Sequence, residues 1–171
     1  MVLRQTSAVP ASLSAKGARV LILEAPYYAD ITRALADGAL AAIAEAGASS
    51  DRLAVPGALE LPQALAALIH AERIGRFAGA GKVYDGVVVL GCVIRGETAH
   101  FEVVINNANH WLMKLAVKHG VPLGNGLLTM DTQAQAWARA EPGKGNKGAD
   151  AARACLRLIE IERELNAGAK V

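Results

Sequence analysis

Aromatic residues are scarce in this chain: two tryptophans, three tyrosines and two phenylalanines make up 4% of 171 residues. An interior without them must be filled by small and branched aliphatic side chains, and alanine supplies much of the 53% hydrophobic content. That balance suits alanine-rich helices packed closely on a sheet. Cysteine is nearly absent. Cys92 and Cys155 stand far apart with no CxxC or Cys/His spacing, which argues against a disulfide scaffold or a zinc site and suits a reducing compartment, the cytoplasm. No window approaches the roughly 18 uninterrupted apolar residues of a membrane span, so no membrane partner is expected. The formal net charge is only +2, and the basic residues are scattered rather than striped, so nucleic acid is not expected as a partner either.

The length fits one domain with a proper core, expected over residues 19–166. Residues 1–18 hold Arg4 and Lys16, no acid, and Ser, Ala and Pro10. The Ser/Ala bias faintly suggests a transit peptide, but an apolar block of signal-peptide length is missing. The segment reads as a flexible arm that could dock on a neighbouring subunit, and residues 167–171 as a tail.

Apolar patterning gives the order of elements. Arg19 to Glu24 predicts a first strand. Ile31, Ala34, Leu35, Gly38, Ala39, Ala42 and Ile43 follow helical spacing up to a stop at Gly47. Leu53 to Val55 predicts a short second strand ended by Pro56-Gly57. A second helix runs from Leu61 to Ala71, with Pro62 tolerated in its first turn. After a glycine-rich connection, Val83 to Leu90 predicts a third strand. Its run of β-branched residues without alternation reads as buried on both faces. A third helix spans about His100 to Lys118. Leu123 to Thr129 predicts a fourth strand, although Gly124 and Gly126 interrupt it. A short helix over Thr132 to Arg139 and a final one over Gly148 to Leu165 complete the chain. Strands alternating with helices call for a parallel sheet covered on both faces. The expected architecture is a three-layer α/β/α sandwich, flavodoxin-like, with a four-stranded parallel sheet.

Two tempting motifs fail. Gly143-Lys144-Gly145-Asn146-Lys147-Gly148 matches GxGxxG, yet a dinucleotide fingerprint must follow a strand within a βαβ unit, and here a helix precedes it. Its glycines are expected to allow positive φ before the last helix. Gly81-Lys82 resembles the end of a phosphate loop, but Arg76 stands where the first glycine is needed and Val83 where Ser or Thr is needed.

Chemistry concentrates after the strands. Parallel order brings Tyr27 and Tyr28, then Ala58, Leu59 and Glu60, then Glu97, Thr98 and His100, then Thr129 and Asp131 to one edge of the sheet, where open α/β folds bind ligands. Free N–H groups at the start of the third helix favour an anion. His100 beside them is a candidate proton carrier, since imidazole titrates near neutrality.

Val55-Pro56-Gly57-Ala58-Leu59-Glu60-Leu61-Pro62, Gly91-Cys92-Val93-Ile94-Arg95-Gly96-Glu97-Thr98-Ala99-His100-Phe101 and Gly145-Asn146-Lys147-Gly148 resemble the lumazine synthase family. The resemblance runs in order from about Arg19 to Glu164. It implies condensation of 5-amino-6-(D-ribitylamino)uracil with 3,4-dihydroxy-2-butanone 4-phosphate to 6,7-dimethyl-8-ribityllumazine, with release of phosphate and water and with no metal or organic cofactor. By resemblance, Tyr27 stacks on the pyrimidine, where Phe is usual. Ala58, Leu59 and Glu60 take the ribityl chain, and the backbone of Cys92, Val93 and Ile94 meets the pyrimidine edge. Glu97 and Thr98 cradle phosphate, His100 transfers protons, and Arg139 pairs with the phosphate of the four-carbon substrate. The family also implies a homo-oligomer of at least five subunits with active sites between neighbours.

Two departures stand out. Asn125 occupies the position where many members carry an aromatic lent by the adjacent subunit. Ala140-Glu141-Pro142-Gly143 replaces the usual Gly-Thr-Lys, so Arg139 alone is carried over there. Asn125 gives some weight to a second reading, a weakly active or inactive paralogue that binds lumazine or flavin or forms a shell. His100, Arg139, Glu60 and Thr98 favour the enzyme. A flavodoxin-like electron carrier is disfavoured because Ala25-Pro26-Tyr27-Tyr28 lacks the Ser, Thr and Gly of an FMN phosphate loop. Trp111 and Met113 could serve the core or a subunit contact, with the core preferred.

Overall fold

The structure, a computed structural model, describes residues 15–168. Its parallel strands β1 (Arg19–Ala25), β2 (Ser49–Ala54), β3 (Gly86–Ile94) and β4 (Leu123–Met130) form one sheet in the order β2-β1-β3-β4. The helices are α1 (Ala29–Glu45), α2 (Glu60–His70), α3 (His100–His119), α4 (Gln133–Ala140) and α5 (Lys147–Asn166). Side chains alternate across β1, β3 and β4 and feed two separate cores. Val20, Ile22, Val88, Leu90 and Leu128 pack with α1, α4 and α5. Leu21, Leu23, Val87, Val89 and Leu127 pack with α2 and α3. This is the expected three-layer sandwich.

Two strands differ from their sequence patterns. β2 begins at Ser49, four residues before the expected Leu53, because it is an edge strand largely open to solvent and needs no apolar run to pair with β1. Its Arg52 forks onto the buried Glu24 of β1, with Nη2 2.9 Å from each carboxylate oxygen. β3 begins at Gly86 rather than Val83 and runs on to Ile94. Val83 and Tyr84 are held outside the sheet, both N–H groups donating to the Arg73 carbonyl. At the other end the β4 ladder continues through Val93↔Thr129 and Ile94↔Met130. Cys92, Val93 and Ile94 therefore stand on a strand end, not in a loop.

Small residues let the helices come close. A Cβ on Gly124 would sit 1.9 Å from the Ala151 carbonyl oxygen, and one on Gly126 would sit 2.7 Å from Leu90 Cδ2. The two glycines that weaken the strand signal of β4 are thus what allow α5 to lie against it. The Gly143–Gly148 segment works the same way, with a correction to its expected geometry. None of its three glycines has positive φ; Asn146 does, at 48°, and its Oδ1 accepts from Ala149 N at the start of α5. Gly145 and Gly148 instead make room for backbone, at Ala138 and Arg139 in α4 and at Leu35 in α1.

Of the expected N-terminal arm, residues 1–14 lie outside the described residues. Residues 15–18 pack on the body: Ala15 and Ala18 are fully buried, and Ala15 N donates to Ala46 O across 3.1 Å. Residues 169–171 of the tail also lie outside the described residues. Trp111 and Met113, for which the core is the preferred reading over a subunit contact, are 45% and 47% exposed. The inward stripe of α3 is Phe101, Val104, Ala108, Leu112 and Ala116, and Trp111 and Met113 flank it. Among the described residues no helix is long and apolar enough to cross a membrane.

Candidate active site

A cavity of about 410 Å³ opens at the carboxyl ends of β1, β2 and β3. The order β2-β1-β3 puts a topological switch point there: the connection from β1 covers one face of the sheet and that from β3 the other. Three segments supply the walls: Tyr27 and Tyr28 after β1, Gly57 to Glu60 after β2, and the stretch from the end of β3 into the first turns of α3, including Cys92, Ile94, Thr98, His100 and Val104.

Tyr27 is 76% exposed. Its ring meets that of Tyr28 edge to face, with centroids 5.2 Å apart and planes at 71°. Tyr28 is half-buried and precedes the first residue of α1, and desolvation pushes its phenol above the ordinary range. The second wall is a tight turn in which Glu60 N donates to Gly57 O and Leu61 N to Ala58 O. That turn starts α2 at Glu60, where a carboxylate is favoured by the helix dipole. A Cβ on Gly57 would stand 3.0 Å from Glu60 Oε2, so the glycine leaves the carboxylate its place.

At the end of β3, Cys92 is buried while Val93 and Ile94 are half-buried. Burial pushes the Cys92 thiol up to about 11 and the Cys155 thiol, beneath β4, up to about 12. Both thiols are free and stay protonated, hence poorly nucleophilic, at neutral pH. Iodoacetamide at pH 7.5 is therefore expected to leave the folded chain unmodified while labelling both cysteines in urea. Rapid labelling of Cys92 in the folded chain would contradict its burial.

His100 is the first residue of α3, exposed on the cavity wall, with its N–H 3.4 Å from Thr98 Oγ1. Phe101 and Val104 follow on the buried face of the same helix. Arg95 stands at the other end of this loop. Its Nη1 meets Glu102, its Nε donates to Asp131 Oδ1 across 2.9 Å, and its guanidinium lies 4.3 Å from the Phe101 ring centroid. The hydrogen bond from Arg95 holds the Glu102 carboxyl below the usual carboxylate range.

Of the residues expected at the site, Tyr27, Ala58, Leu59, Glu60, Cys92, Val93, Ile94, Thr98 and His100 line this one cavity. Glu97, Asn125 and Arg139 do not, nor do Thr129 near the end of β4 and Asp131 just after it. Asn125 pairs in register with Val89, well back from the strand ends. Its Nδ2 donates to Asn109 Oδ1 and its Oδ1 accepts from Leu127 N. Arg139 sits in the last turn of α4, on the far face of the sheet from α2 and α3, and donates to Gln135 O. Tyr28, expected at this edge beside Tyr27, lines the cavity as well, and Gly57, Gly96, Phe101 and Val104 line it without a ligand-binding role expected from sequence. For Phe101 and Val104 the signal was the i, i+3 spacing, which reads as core because one helix face serves both core and cavity wall. Among the described residues no group of three or more His, Cys, Asp or Glu side chains is placed to hold a metal ion.

Fold and site together define a flavodoxin-like α/β protein with a small-molecule cavity at the switch point of its sheet. A profile of the 6,7-dimethyl-8-ribityllumazine synthase family matches residues 17–163. The chain is 53% identical over 149 residues to 6,7-dimethyl-8-ribityllumazine synthase 1 of Rhodopseudomonas palustris, covering 87% of this chain and 88% of that protein. It is 54% identical over 150 residues to the 6,7-dimethyl-8-ribityllumazine synthase of Nitrobacter hamburgensis, covering 87% and 88%. With that of Xanthobacter autotrophicus it shares 47% over 166 residues, covering 96% and 98%. The chain belongs to the 6,7-dimethyl-8-ribityllumazine synthase family.

Proposed function

We infer that this chain condenses 5-amino-6-(D-ribitylamino)uracil with 3,4-dihydroxy-2-butanone 4-phosphate to 6,7-dimethyl-8-ribityllumazine, the penultimate step of riboflavin biosynthesis. The observation that carries this reading is the convergence of an exposed aromatic, a half-buried carboxylate and a histidine at a helix N-terminus on one cavity, in a chain of this family. Tyr27 stacks on the pyrimidine. Glu60, with Ala58 and Leu59, accepts hydrogen bonds from the ribityl hydroxyls. The backbone at Cys92, Val93 and Ile94 meets the pyrimidine edge, and Glu97 with Thr98 borders the phosphate. Schiff-base formation, phosphate elimination and ring closure each move protons, and His100 is the imidazole placed on the cavity wall to carry them. Holding two substrates in register supplies much of the remaining acceleration.

The working unit is a homo-oligomer of at least five copies. Two observations support this. Arg139 and Asn125 do not line the cavity of their own chain, which suits a role toward the cavity of an adjacent copy. An apolar groove of about 540 Å³ between α2 and α3, lined by Pro62, Val103, Trp111 and Leu115 among others, also adjoins the cavity at Leu59. The two buried, unpaired thiols fit a cytoplasmic location.

The direct test mixes purified protein with both substrates and follows lumazine fluorescence. Formation well above the enzyme-free rate is expected; binding of lumazine or riboflavin without acceleration would overturn the enzyme in favour of a binding protein. Arg139→Ala is expected to remove a charge-assisted contact of roughly 1.5–3 kcal/mol. The KM of the phosphorylated substrate then rises about 10-fold to 150-fold, with that of the pyrimidine little changed. Equal weakening of both substrates would count against the phosphate contact.

A further inference from the structure

Gly96, Glu97 and Thr98 join no backbone–backbone hydrogen bond among the described residues. The stretch between the end of β3 and the start of α3 therefore takes its shape from what anchors its two ends. Arg95 anchors both. Its own N–H donates to Met130 O at the end of β4, and its guanidinium bonds Asp131 just beyond. The same guanidinium reaches across the loop to Glu102 and lies over the ring of Phe101. His100, Phe101 and Glu102 are consecutive residues of the first turn of α3, so two of the three are held by Arg95 and the third is the histidine. The arrangement needs a planar group with several donors in fixed directions. A lysine ammonium, a compact charge without a planar face or a fixed fork, could not hold both carboxylates in these directions and stack on the ring as well.

We propose that Arg95 is a positioning residue for the condensation, fixing His100 and Phe101 on the cavity wall by bridging the first turn of α3 to the end of β4. The proposal rests on the synthase reading above. Arg95 itself does not line the cavity; it acts through the turn it holds.

The test is a double-mutant cycle. Arg95→Met is expected to lower kcat by about 10-fold or more, the scale on which a small displacement of reacting groups acts, while the KM values for both substrates stay within about threefold. In the His100→Ala background the same change is expected to cost less than about twofold, because the group it positions is gone. Arg95→Lys should recover only part of the loss. Thermal unfolding and the stoichiometry of riboflavin binding check that the variants are folded. Should Arg95→Met fail to fold, Asp131→Asn and Arg95→Lys run the same cycle with milder changes. Equal losses in both backgrounds, or an unchanged kcat, would overturn the positioning role. An inactive wild-type chain would overturn the synthase reading itself and this inference with it, whereas an active wild type beside an unaffected variant rejects Arg95 alone.

Discussion

Gly148→Ala is expected to destabilise the chain by at least about 3 kcal/mol, at or beyond the upper end for overpacking substitutions. Two effects oppose each other at this position. Gly148 lies in the first turn of α5, and replacing a helical glycine by alanine ordinarily favours the helix by about 1 kcal/mol. The added Cβ, however, would stand 1.9 Å from the carbonyl oxygen of Leu35 and 2.7 Å from its carbonyl carbon. Those are backbone atoms inside α1, so no rotamer change relieves the clash, and one helix must move off the other. Steric exclusion wins. The movement would open the α1–α5 seam, where Ala36, Ala39, Ala149 and Ala152 are buried together. At roughly 2–4 °C per kcal/mol for a chain of this size, Tm should fall by about 6–12 °C or more. Gly143→Ala is the control, because a Cβ there meets nothing within 4 Å and its φ is not positive. A Tm for Gly148→Ala within about 2 °C of wild type would show that the two helices are not in the contact described.

His100→Ala is expected to lower kcat by about 10²-fold or somewhat less, near the low end for general acid–base groups. The effect should be chemical and not structural. His100 is exposed, and the stripe of α3 that packs into the core begins at the next residue, Phe101. Tm should accordingly be nearly unchanged. The loss is bounded because alignment of the two substrates survives the substitution. Fresh enzyme assayed across pH with both substrates saturating would separate kcat from binding, and a loss under about threefold would remove His100 from the proton-transfer role.

The two substitutions fail for opposite reasons, and the difference marks how legible each part was beforehand. The site histidine stands in a sequence pattern: a strand, a polar loop and a helix follow one another within Gly86 to Lys118, and parallel topology then brings such loops to one edge. The same logic places Tyr27 and Glu60 beside it. The packing of α1, α4, α5 and β4 left only an ambiguous trace. Gly124 and Gly126 read as interruptions of a strand, and Gly143, Gly145 and Gly148 as a loop needing positive φ. Each is a statement about local conformation, and at Gly124, Gly126, Gly145 and Gly148 the reason for the glycine is a neighbour more than ten residues away or in another element. Edge strand β2 reads short in the sequence for a related cause: a strand paired on one side and open to solvent carries no apolar run to reveal its start.

The sequence by itself determined the alternation of strands and helices, the three-layer architecture, and the gathering of Tyr27, Ala58, Leu59, Glu60, Thr98 and His100 at one edge, because hydrophobic period and chain order are local properties of a sequence. Tertiary structure alone decided three things. It extended β3 so that Cys92, Val93 and Ile94 form a strand end, through ladder bonds to Thr129 and Met130. It brought Arg95 onto Glu102, Asp131 and Phe101 at once. It also left Asn125 and Arg139 off the lining of their own chain's cavity. Each depends on which residues far apart in sequence become neighbours when the sheet closes, and no local pattern encodes that distance.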